Sequence, residues 1–238
     1  MYYFARTLPP MDFFETVKRR RSVRKYNGMP VPDDVVSKAL DAALLAPNSS
    51  NLQTWQFFWI KNPDTKAKLV LACLDQNAAK SSEHLVAIVA DPSLWKKHQI
   101  ALLAHLRAQN SPPVVFSYYE KLIPALYGWR LLAPLKWLVF NLIGFFKPMS
   151  RRPWSSRDLA EISIKSAALA SQNFMLAIAA QGFDTCPMEG FDEARVKRIL
   201  NLSRRARVVM MISVGMRNPK GLWGDQFRFP KEQSVYVV

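Results

Sequence analysis

The sequence predicts an α+β fold in which helices outnumber strands and surround a mostly antiparallel or mixed sheet. Helical hydrophobic periodicity recurs along the chain, and short aromatic or apolar stretches typical of strands are scattered between the helical stretches, not alternating with them in a βαβ repeat. The chain has 238 residues, 50% of them hydrophobic, which is enough to bury a core as one domain or as a domain with a lid. We therefore expect a single domain over residues 1–238.

The predicted helices are amphipathic or rich in small side chains, and they cover residues 12–22, 33–45, 63–74, 157–181 and 191–200. The first carries Lys and Arg at its C-terminal end, which suits the helix dipole. The predicted strands are rich in aromatic and β-branched residues, and they cover residues 55–60, 85–90 and 208–214. The C-terminal residues 234–238 are also strongly β-prone.

Charge and cysteine content narrow the function classes. The formal net charge is +15, from 33 Lys and Arg against 18 Asp and Glu, which predicts attraction to phosphate groups. We expect no nucleic-acid partner, because no helix-turn-helix spacing, zinc-ligand pattern or aromatic ribonucleoprotein motif accompanies the charge. Two cysteines fall short of a disulfide framework or a metal cluster and suit a reducing compartment. Because the N-terminus lacks the features of a secretory signal, we expect a cytoplasmic protein.

Residues 122–146 are unusually apolar, and we treat residues 110–153 around them as an insertion. A transmembrane helix needs ~20 predominantly apolar residues, but this stretch is interrupted by charged, polar or helix-breaking residues, namely Arg130, Pro134, Lys136, Asn141 and Gly144. A lid, or helices buried at a subunit interface, is one reading of the insertion. Contact of residues 122–147 with a membrane surface is the other, because basic residues flank the apolar stretch. A membrane-spanning helix is the least favoured reading.

Four short segments carry the candidate chemistry. Residues 20–26 read Arg-Arg-Ser-Val-Arg-Lys-Tyr, and residues 46–57 read Ala-Pro-Asn-Ser-Ser-Asn-Leu-Gln-Thr-Trp-Gln-Phe. Residues 182–191 read Gly-Phe-Asp-Thr-Cys-Pro-Met-Glu-Gly-Phe, and residues 226–230 read Gln-Phe-Arg-Phe-Pro. Together they resemble, in order, the R-R-S-x-R-x-Y/F, A-P-S-S-x-N-x-Q-P-W-x-F and G-x-x-x-x-P-x-x-G-F motifs and the C-terminal basic pair of the FMN-dependent nitroreductase family.

The first and fourth segments suit a phosphate, because guanidinium groups bind phosphate through paired charge-assisted hydrogen bonds. The resemblance implies that Arg20, Arg21 and Ser22 hold the FMN phosphate and ribityl chain. It places Arg24 near the pyrimidine edge of the flavin, where a cation stabilises the reduced ring, and it assigns Arg228 to the phosphate. Gln226 stands where the family commonly has a second cation. Taken alone, the arginine segment also suits a solvated face or a lipid contact.

The second segment implies contacts with the flavin of the other subunit, made by the residues that match the family motif, namely Pro47, Asn48, Ser49, Asn51 and Gln53. Two residues depart from the motif. Asn48 replaces the usual Ser but keeps a hydrogen-bonding side chain, and Thr54 replaces the usual Pro. The loss of the proline leaves the rigidity of the loop, and with it the contacts of Gln53, open.

The third segment implies that Pro187, Met188, Glu189 and Gly190 line the flavin ring and present backbone groups to it, with Gly190 allowing close approach. Residues Asn77 and Lys80 are further candidates for the pyrimidine edge. Cys186 is expected to be a small packed residue, not a nucleophile, because no His lies near it in the sequence.

The resemblance implies a nitroreductase-like three-layer α/β/α sandwich that forms a domain-swapped homodimer, with the apolar helices as an insertion. It implies FMN as cofactor and NADH or NADPH as electron donor. The reaction would be a ping-pong hydride transfer to a small aromatic or quinone-like substrate such as a nitroaromatic, a quinone or an enone, with no catalytic side chain. Dehalogenation and flavin fragmentation on the same fold stay open. So does a non-catalytic, basic membrane-surface protein.

Overall fold

The computed structural model describes residues 12–128 and 132–238. Its helices are α1 (Phe13–Arg19), α2 (Asp33–Leu44), α3 (Pro63–Ala72), α4 (Asn77–Lys80), α5 (Trp95–Ala108), α6 (Pro113–Ser117), α7 (Ile123–Tyr127), α8 (Ala133–Phe146), α9 (Ser156–Ala180) and α10 (Glu193–Ile199). Its strands are β1 (Trp55–Ile60), β2 (His84–Ala90), β3 (Asp184–Met188) and β4 (Arg207–Gly215).

The four strands form one antiparallel sheet in the order β1-β2-β4-β3. Side chains of β2 alternate between two cores, as the two-residue period of a strand requires. Val86 and Ile88 face the core formed with α2 and α9, whereas Leu85 and Ala87 face the core formed with α3, α4 and α10. Helices therefore cover both faces of the sheet, and the predicted α+β three-layer sandwich is confirmed.

Helix α9 is the long element of the first layer. Its N-terminus is fixed by a capping box, in which Ser155 and Asp158 each accept a hydrogen bond from the other's backbone N–H. Small residues such as Ala167 and Ala170 are fully buried on the face toward the sheet, which lets the helix pack closely. Its 25 residues span about 37 Å, so α9 passes from one end of the sheet to the other.

The predicted helix over residues 12–22 is wrong in its last three residues, because α1 ends at Arg19 and Arg20 is already extended, with ψ 118°. The physical reason is a long-range pairing. Ser22 forms a parallel bridge with Thr185 of β3, and the Val23 N–H donates to the Thr185 carbonyl at 3.0 Å. The arginine segment is thus held as an extended strip along β3.

The β-prone residues 234–238 form no strand within the described chain, and their side chains are exposed. The segment 182–191, for which no strand was predicted, contains the edge strand β3, where Pro187 is tolerated because β4 is its only neighbouring strand in the sheet. Helix α5 was not predicted at all.

The insertion at residues 110–153 forms α6, a π-helical turn (Tyr118–Leu122), α7 and α8. Its inner side contributes Ile123 and Tyr127 to a third buried cluster, with Leu52 of the 47–53 loop and Leu159 of α9. Within the part of the chain that the structure describes, no helix combines the length and the apolar character needed to cross a membrane.

Candidate active site

A cavity of about 220 Å³ lies where the arginine segment meets the C-terminal segment. Its lining combines residues from both ends of the sequence, and the residues with charged or hydrogen-bonding side chains are Arg20, Arg21, Ser22, Arg24, Trp223, Asp225, Gln226 and Arg228. Binding sites for whole drug-sized ligands measure about 300–1,000 Å³. The cavity of one chain is therefore large enough for a phosphate and a short polyol, and smaller than a typical site for a complete cofactor.

Backbone contacts fix the arginine segment against the sheet. The N–H of Arg24 donates to the Gly221 carbonyl at 2.8 Å, and a Cβ on Gly221 would lie 2.5 Å from the carbonyl oxygen of Lys25. Only glycine therefore permits this close approach of the two segments. The Tyr26 hydroxyl is bonded to Ser213 of β4, so the end of the segment is also fixed.

A buried ion pair supports the start of the same segment. The guanidinium of Arg217 donates to the Asp184 carboxylate, with its Nε 3.0 Å from Oδ1, and the Asp184 side chain is 2% exposed. The hydrogen bond from Arg217 to Asp184 raises the pKa of Arg217 above its ordinary value. Arg217 also reaches the Arg19 carbonyl, and the Arg19 side chain donates to the Gly182 carbonyl. Sequence reasoning missed this support, because the pairing joins distant residues.

The cavity concentrates positive charge. Arg20, Arg21 and Arg24 are half-buried, and Arg228 faces them from the C-terminal segment. Burial lowers the pKa of Arg20, and the nearby charges of Arg228 and Arg21 lower it further. Across residues 12–128 and 132–238, no carboxylate lies within 4.0 Å of these four guanidinium groups, although Asp225 lines the cavity. Such a donor set fits a multiply charged anion such as a phosphate monoester.

Two C-terminal residues orient the arginines and were not identified from the sequence. The guanidinium carbon of Arg24 lies 4.1 Å from the centre of a Trp223 ring, a cation–π contact that holds the charge in place. The Arg21 side chain donates to the carbonyl of Gly224 at 2.7 Å. The Trp223–Gly224 pair carries no recognisable signal in a single sequence, because its role depends on segments that meet only in the fold.

The residues predicted to line the flavin ring, 187–190, lie at the end of β3, the strand along which the arginine segment runs. Ser22 pairs with Thr185, and Pro187, Glu189 and Gly190 follow within a few residues. The Met188 side chain is buried in the second core, so only its backbone is available to a ligand. Glu189 and Gly190 are exposed.

Helix α4 lies beside both the arginine segment and the end of β3. Gln76, which precedes α4, donates through its side chain to the Gly190 carbonyl, and Ser81, which follows it, accepts from the Tyr26 N–H at 3.0 Å. Asn77 and Lys80 are therefore close to this region, with exposed side chains. Lys80 pairs with Asp75 at 2.9 Å. Gln76 was missed by sequence analysis although it is the residue that contacts Gly190.

The loop of residues 47–53 has an unusual backbone. Ser50, Asn51 and Gln53 all have positive φ, between 46° and 55°, a conformation that costs energy for non-glycine residues and is concentrated at functional sites. The Asn48 side chain closes the loop by accepting from the Gln53 N–H at 2.8 Å. Pro47, Ser49, Asn51 and Gln53 are exposed.

Thr54, which stands where proline is usual, is firmly held. Its hydroxyl donates to the Ser163 hydroxyl of α9 at 2.9 Å, and its carbonyl accepts from the Asp91 N–H at 2.9 Å. The side chain is buried. Hydrogen bonds therefore fix the exit of the loop in place of a proline ring.

The loop and the arginine cavity lie far apart in one chain. The Ser49 N–H contacts Ser166 of α9 at 3.4 Å, whereas Arg19 contacts Gly182, two residues beyond the other end of α9. From Ser166 to Ala180 the helix rises about 21 Å, at 1.5 Å per residue. The loop also leads into β1 and the arginine segment lies along β3, and these strands form opposite edges of the sheet. The structure thus brings Arg20, Arg21, Ser22, Arg24 and Arg228 together, but it does not bring residues 47–53 to them.

Comparison with known proteins gives consistent matches. MhqN of Bacillus subtilis, named as an NAD(P)H nitroreductase, is 29% identical over 94% of this chain and 98% of its own length. An NADH dehydrogenase of Thermus thermophilus is 28% identical over 96% of this chain and 97% of its own. A nitroreductase from Exiguobacterium sibiricum, solved in complex with FMN, has the same fold, with a TM-score of 0.71, 22% identity, and coverage of 98% of this chain and 100% of its own. The family model described as the nitroreductase family matches residues 17–216. This match extends from α1 to the residue after β4, and the chain therefore belongs to the nitroreductase family.

Proposed function

We propose that this protein is an FMN-dependent oxidoreductase that transfers hydride from NADH or NADPH to a small electron-poor substrate. The cluster of half-buried arginines without a carboxylate partner, among the described residues, is the observation that carries the proposal. It supplies the charge that a phosphate monoester requires, and it lies beside a strand along which a flat ring can extend. MhqN is named for the same nicotinamide donor, and the Exiguobacterium protein was solved with FMN.

In this proposal the phosphate is bound by Arg20, Arg21 and Arg228, with Ser22 beside the ribityl chain. Bringing a dianion among three like charges relieves their mutual repulsion, which favours binding. The Ser22 backbone is fixed by its bridge to Thr185, so the donors are arranged before the ligand arrives. Preorganised donors lower the entropic cost of binding.

Arg24 has the separate role of a cation near the ring. Its contact with Trp223 keeps the guanidinium in position without neutralising its charge. A bound FMN would supply the hydride-transfer chemistry between the nicotinamide and the acceptor. Pro187, Glu189 and Gly190 would position the ring, and the charge of Arg24 would favour its reduced, negatively charged form.

The 47–53 loop completes the site from a second copy of the chain. Within one chain the loop is about 21 Å along α9 from the arginine segment, a separation that a single flavin ring does not bridge while touching side chains of both. The cavity of one chain is also small for the whole cofactor. We therefore propose a homodimer with two sites, each built from the arginine segment of one protomer and Pro47, Asn48, Ser49, Asn51 and Gln53 of its partner.

The acceptor would occupy the position that the nicotinamide vacates, which gives ping-pong turnover. The proposed acceptors are nitroaromatics, quinones and enones, all electron-poor and planar. No side-chain acid or base is required, and two buried or half-buried histidines are already bonded to backbone carbonyls, His84 to Val31 and His98 to Leu52.

The test is spectroscopic. Purified protein is expected to be yellow with bound FMN, and anaerobic addition of NADH or NADPH is expected to bleach the flavin absorbance, which returns on adding menadione as acceptor. Protein that is colourless and stays so after dialysis against FMN at low salt contradicts the proposal and favours the non-catalytic alternative. Yellow protein that neither nicotinamide bleaches points to another reaction on the same fold.

A further inference from the structure

Helix α8 lies on the outside of the insertion with an inverted distribution of side chains. None of its 14 residues is buried. Its one charged side chain, Lys136, turns toward the protein, where Nζ donates to the Leu126 carbonyl at 2.8 Å and the Gly128 carbonyl at 3.2 Å. Burial lowers the pKa of Lys136, which is consistent with this inward position. A surface helix normally directs its charges to water and its apolar residues inward.

The outward side of α8 is correspondingly apolar. We use the term α8 face for its large, strongly exposed residues, which are Leu135, Leu138, Leu142, Phe145 and Phe146. They are between 53% and 82% exposed, and at 100° per residue they fall within an arc of about 100°. A contiguous exposed patch of this kind marks a surface that another phase or molecule covers.

The charge around the α8 face indicates what covers it. Residues 111–157 contain one acidic residue, Glu120, against seven Lys and Arg. Among the described residues Lys136 turns inward and Arg152 pairs with Asp158 and Glu161, which leaves four exposed cations with no carboxylate within 4.0 Å, namely Lys121, Lys147, Arg151 and Arg157. Each cation near an anionic bilayer strengthens binding about fivefold. Two copies of this chain meeting through their α8 faces would instead bring two such basic segments together. Charge complementarity therefore favours an anionic lipid surface over a second copy.

We propose that the α8 face docks on the surface of an anionic lipid bilayer, with α8 lying in the interfacial plane. The helix rises about 21 Å over its 14 residues, which is less than the ~30 Å thickness of the hydrocarbon core of a bilayer. In this proposal it therefore lies on the membrane and does not cross it. Lys147 is exposed directly after the C-terminal end of α8, where it can reach lipid phosphates, and Arg157 is exposed in the first turn of α9.

Docking would bring the insertion, and the 47–53 loop that it contacts, to the membrane surface. On its inner side the insertion contacts the 47–53 loop, since the Ser49 hydroxyl bonds the Tyr127 hydroxyl at 3.0 Å and the Ser50 hydroxyl bonds that of Tyr118 at 2.7 Å. The inference goes beyond the proposed function and does not rest on it, because none of the residues of the α8 face lines the arginine cavity.

The experiment is flotation of the full-length protein with vesicles of phosphatidylcholine alone or mixed with phosphatidylglycerol, at low and high salt. The wild type is expected to float with the anionic vesicles at low salt and much less with phosphatidylcholine. The variant Leu142→Ser/Phe145→Ser/Phe146→Ser is expected to bind at least tenfold more weakly, because the buried apolar area is lost. Lys147→Gln/Arg157→Gln is expected to lose about fivefold per charge.

The matched control is Leu71→Ser/Leu74→Ser, which removes two leucines of similar exposure, 64% and 67%, from α3 and the residues after it. It is expected to float like the wild type, and circular dichroism checks that every variant is folded. Equal flotation of the wild type and the triple variant contradicts the proposal. So does a folded triple variant that sediments as a monomer while the wild type sediments as a dimer, since a second copy then covers the α8 face. Colourless protein that still floats keeps this inference and contradicts only the proposed function.

Discussion

Replacing Arg228 with Ala removes the cation that the C-terminal segment contributes to the cavity. The Arg228 side chain is exposed, and its Nη1 donates only to the carbonyl of the neighbouring Phe227, at 2.6 Å, among the contacts of the described residues. Its charge contributes to lowering the pKa of Arg20, after the larger effect of burial. In the absence of ligand, Arg228 therefore repels Arg20, and it has no structural contact whose loss would unfold the protein.

The expected magnitude follows from the type of bond. A hydrogen bond to a charged group contributes about 1.5–3 kcal/mol, so Arg228→Ala is expected to weaken FMN binding about 10- to 150-fold. Arg20→Ala is expected to fall in the same range. Replacement by Lys restores the charge without the two-pronged geometry and should recover only part of the loss. The free energy of unfolding of apo Arg228→Ala should be no lower than that of the wild type, because a like-charge repulsion has been removed.

The assay is titration of apoprotein into FMN, followed by quenching of flavin fluorescence, at two salt concentrations. Arg204→Ala is the control, because Arg204 is also an exposed arginine and lies in the loop before β4, outside the cavity lining. Higher salt should reduce the difference between wild type and variants, since exposed charges are screened. Wild-type affinity in Arg20→Ala, Arg228→Ala and the double variant would refute the assignment of the phosphate to this cavity.

Three further predictions concern stability and reactivity. Asp184→Asn is expected to lower the free energy of unfolding by about 3 kcal/mol, because it leaves the charge of Arg217 without its buried partner. Urea denaturation measures this free energy, and a loss no larger than that of the surface variant Asp34→Asn would contradict the prediction. Burial raises the pKa of the Asp158 carboxyl, but hydrogen bonds at the start of α9 outweigh burial and lower this pKa below its ordinary value of 3.8. The stability that the ionised carboxylate contributes is therefore complete above pH 3.8 and is lost as the pH falls through the pKa of the folded state. Asp158→Asn should therefore destabilise the protein by about 1–2 kcal/mol at pH 7, with a difference that shrinks in acid; a difference that is constant from pH 7 to pH 2 would disprove this. Burial raises the pKa of Cys73 to about 11 and also raises that of Cys186. Iodoacetamide at pH 8 should therefore label neither thiol in the folded protein and both thiols in urea. Mass spectrometry measures the labelling, and fast labelling of the folded protein would contradict the burial of these side chains.

Local periodicity was sufficient to predict the elements that form the sandwich. Helix α2 and strand β2 appear within one residue of their expected bounds, because each presents a clear apolar pattern to its core. The extended arginine segment was not predictable, since its conformation depends on pairing with Thr185, more than 160 residues away. Strand β3 was missed because it is short, contains Pro187 and follows a glycine, all features typical of a turn.

In the candidate site, too, local sequence patterns were predictable and long-range contacts were not. The segments that carry Arg20 and Arg228 could be identified from residue type and order, but their meeting around one cavity could not. Gln76 and Trp223 escaped notice, because each acts through a contact that exists only in the folded chain. The separation of residues 47–53 from the arginines is likewise a property of α9 and the sheet order. The β-prone residues 234–238 illustrate the converse, because strand propensity takes effect only where the side chains pack against neighbours, and these side chains are exposed.

The central claim is that one site combines the arginine segment of one protomer with the loop of its partner, and a mixed dimer tests it most directly. One tagged chain would carry Arg20→Ala/Arg228→Ala and a differently tagged chain Asn51→Ala/Gln53→Ala, and the heterodimer would be isolated through both tags. Shared sites leave one site of the heterodimer free of substitutions, so the account predicts one FMN per heterodimer bound with wild-type affinity, while both parental homodimers bind weakly. If each site is built within a single chain, every site in the heterodimer carries a lesion, and the absence of a wild-type-affinity site would contradict the account.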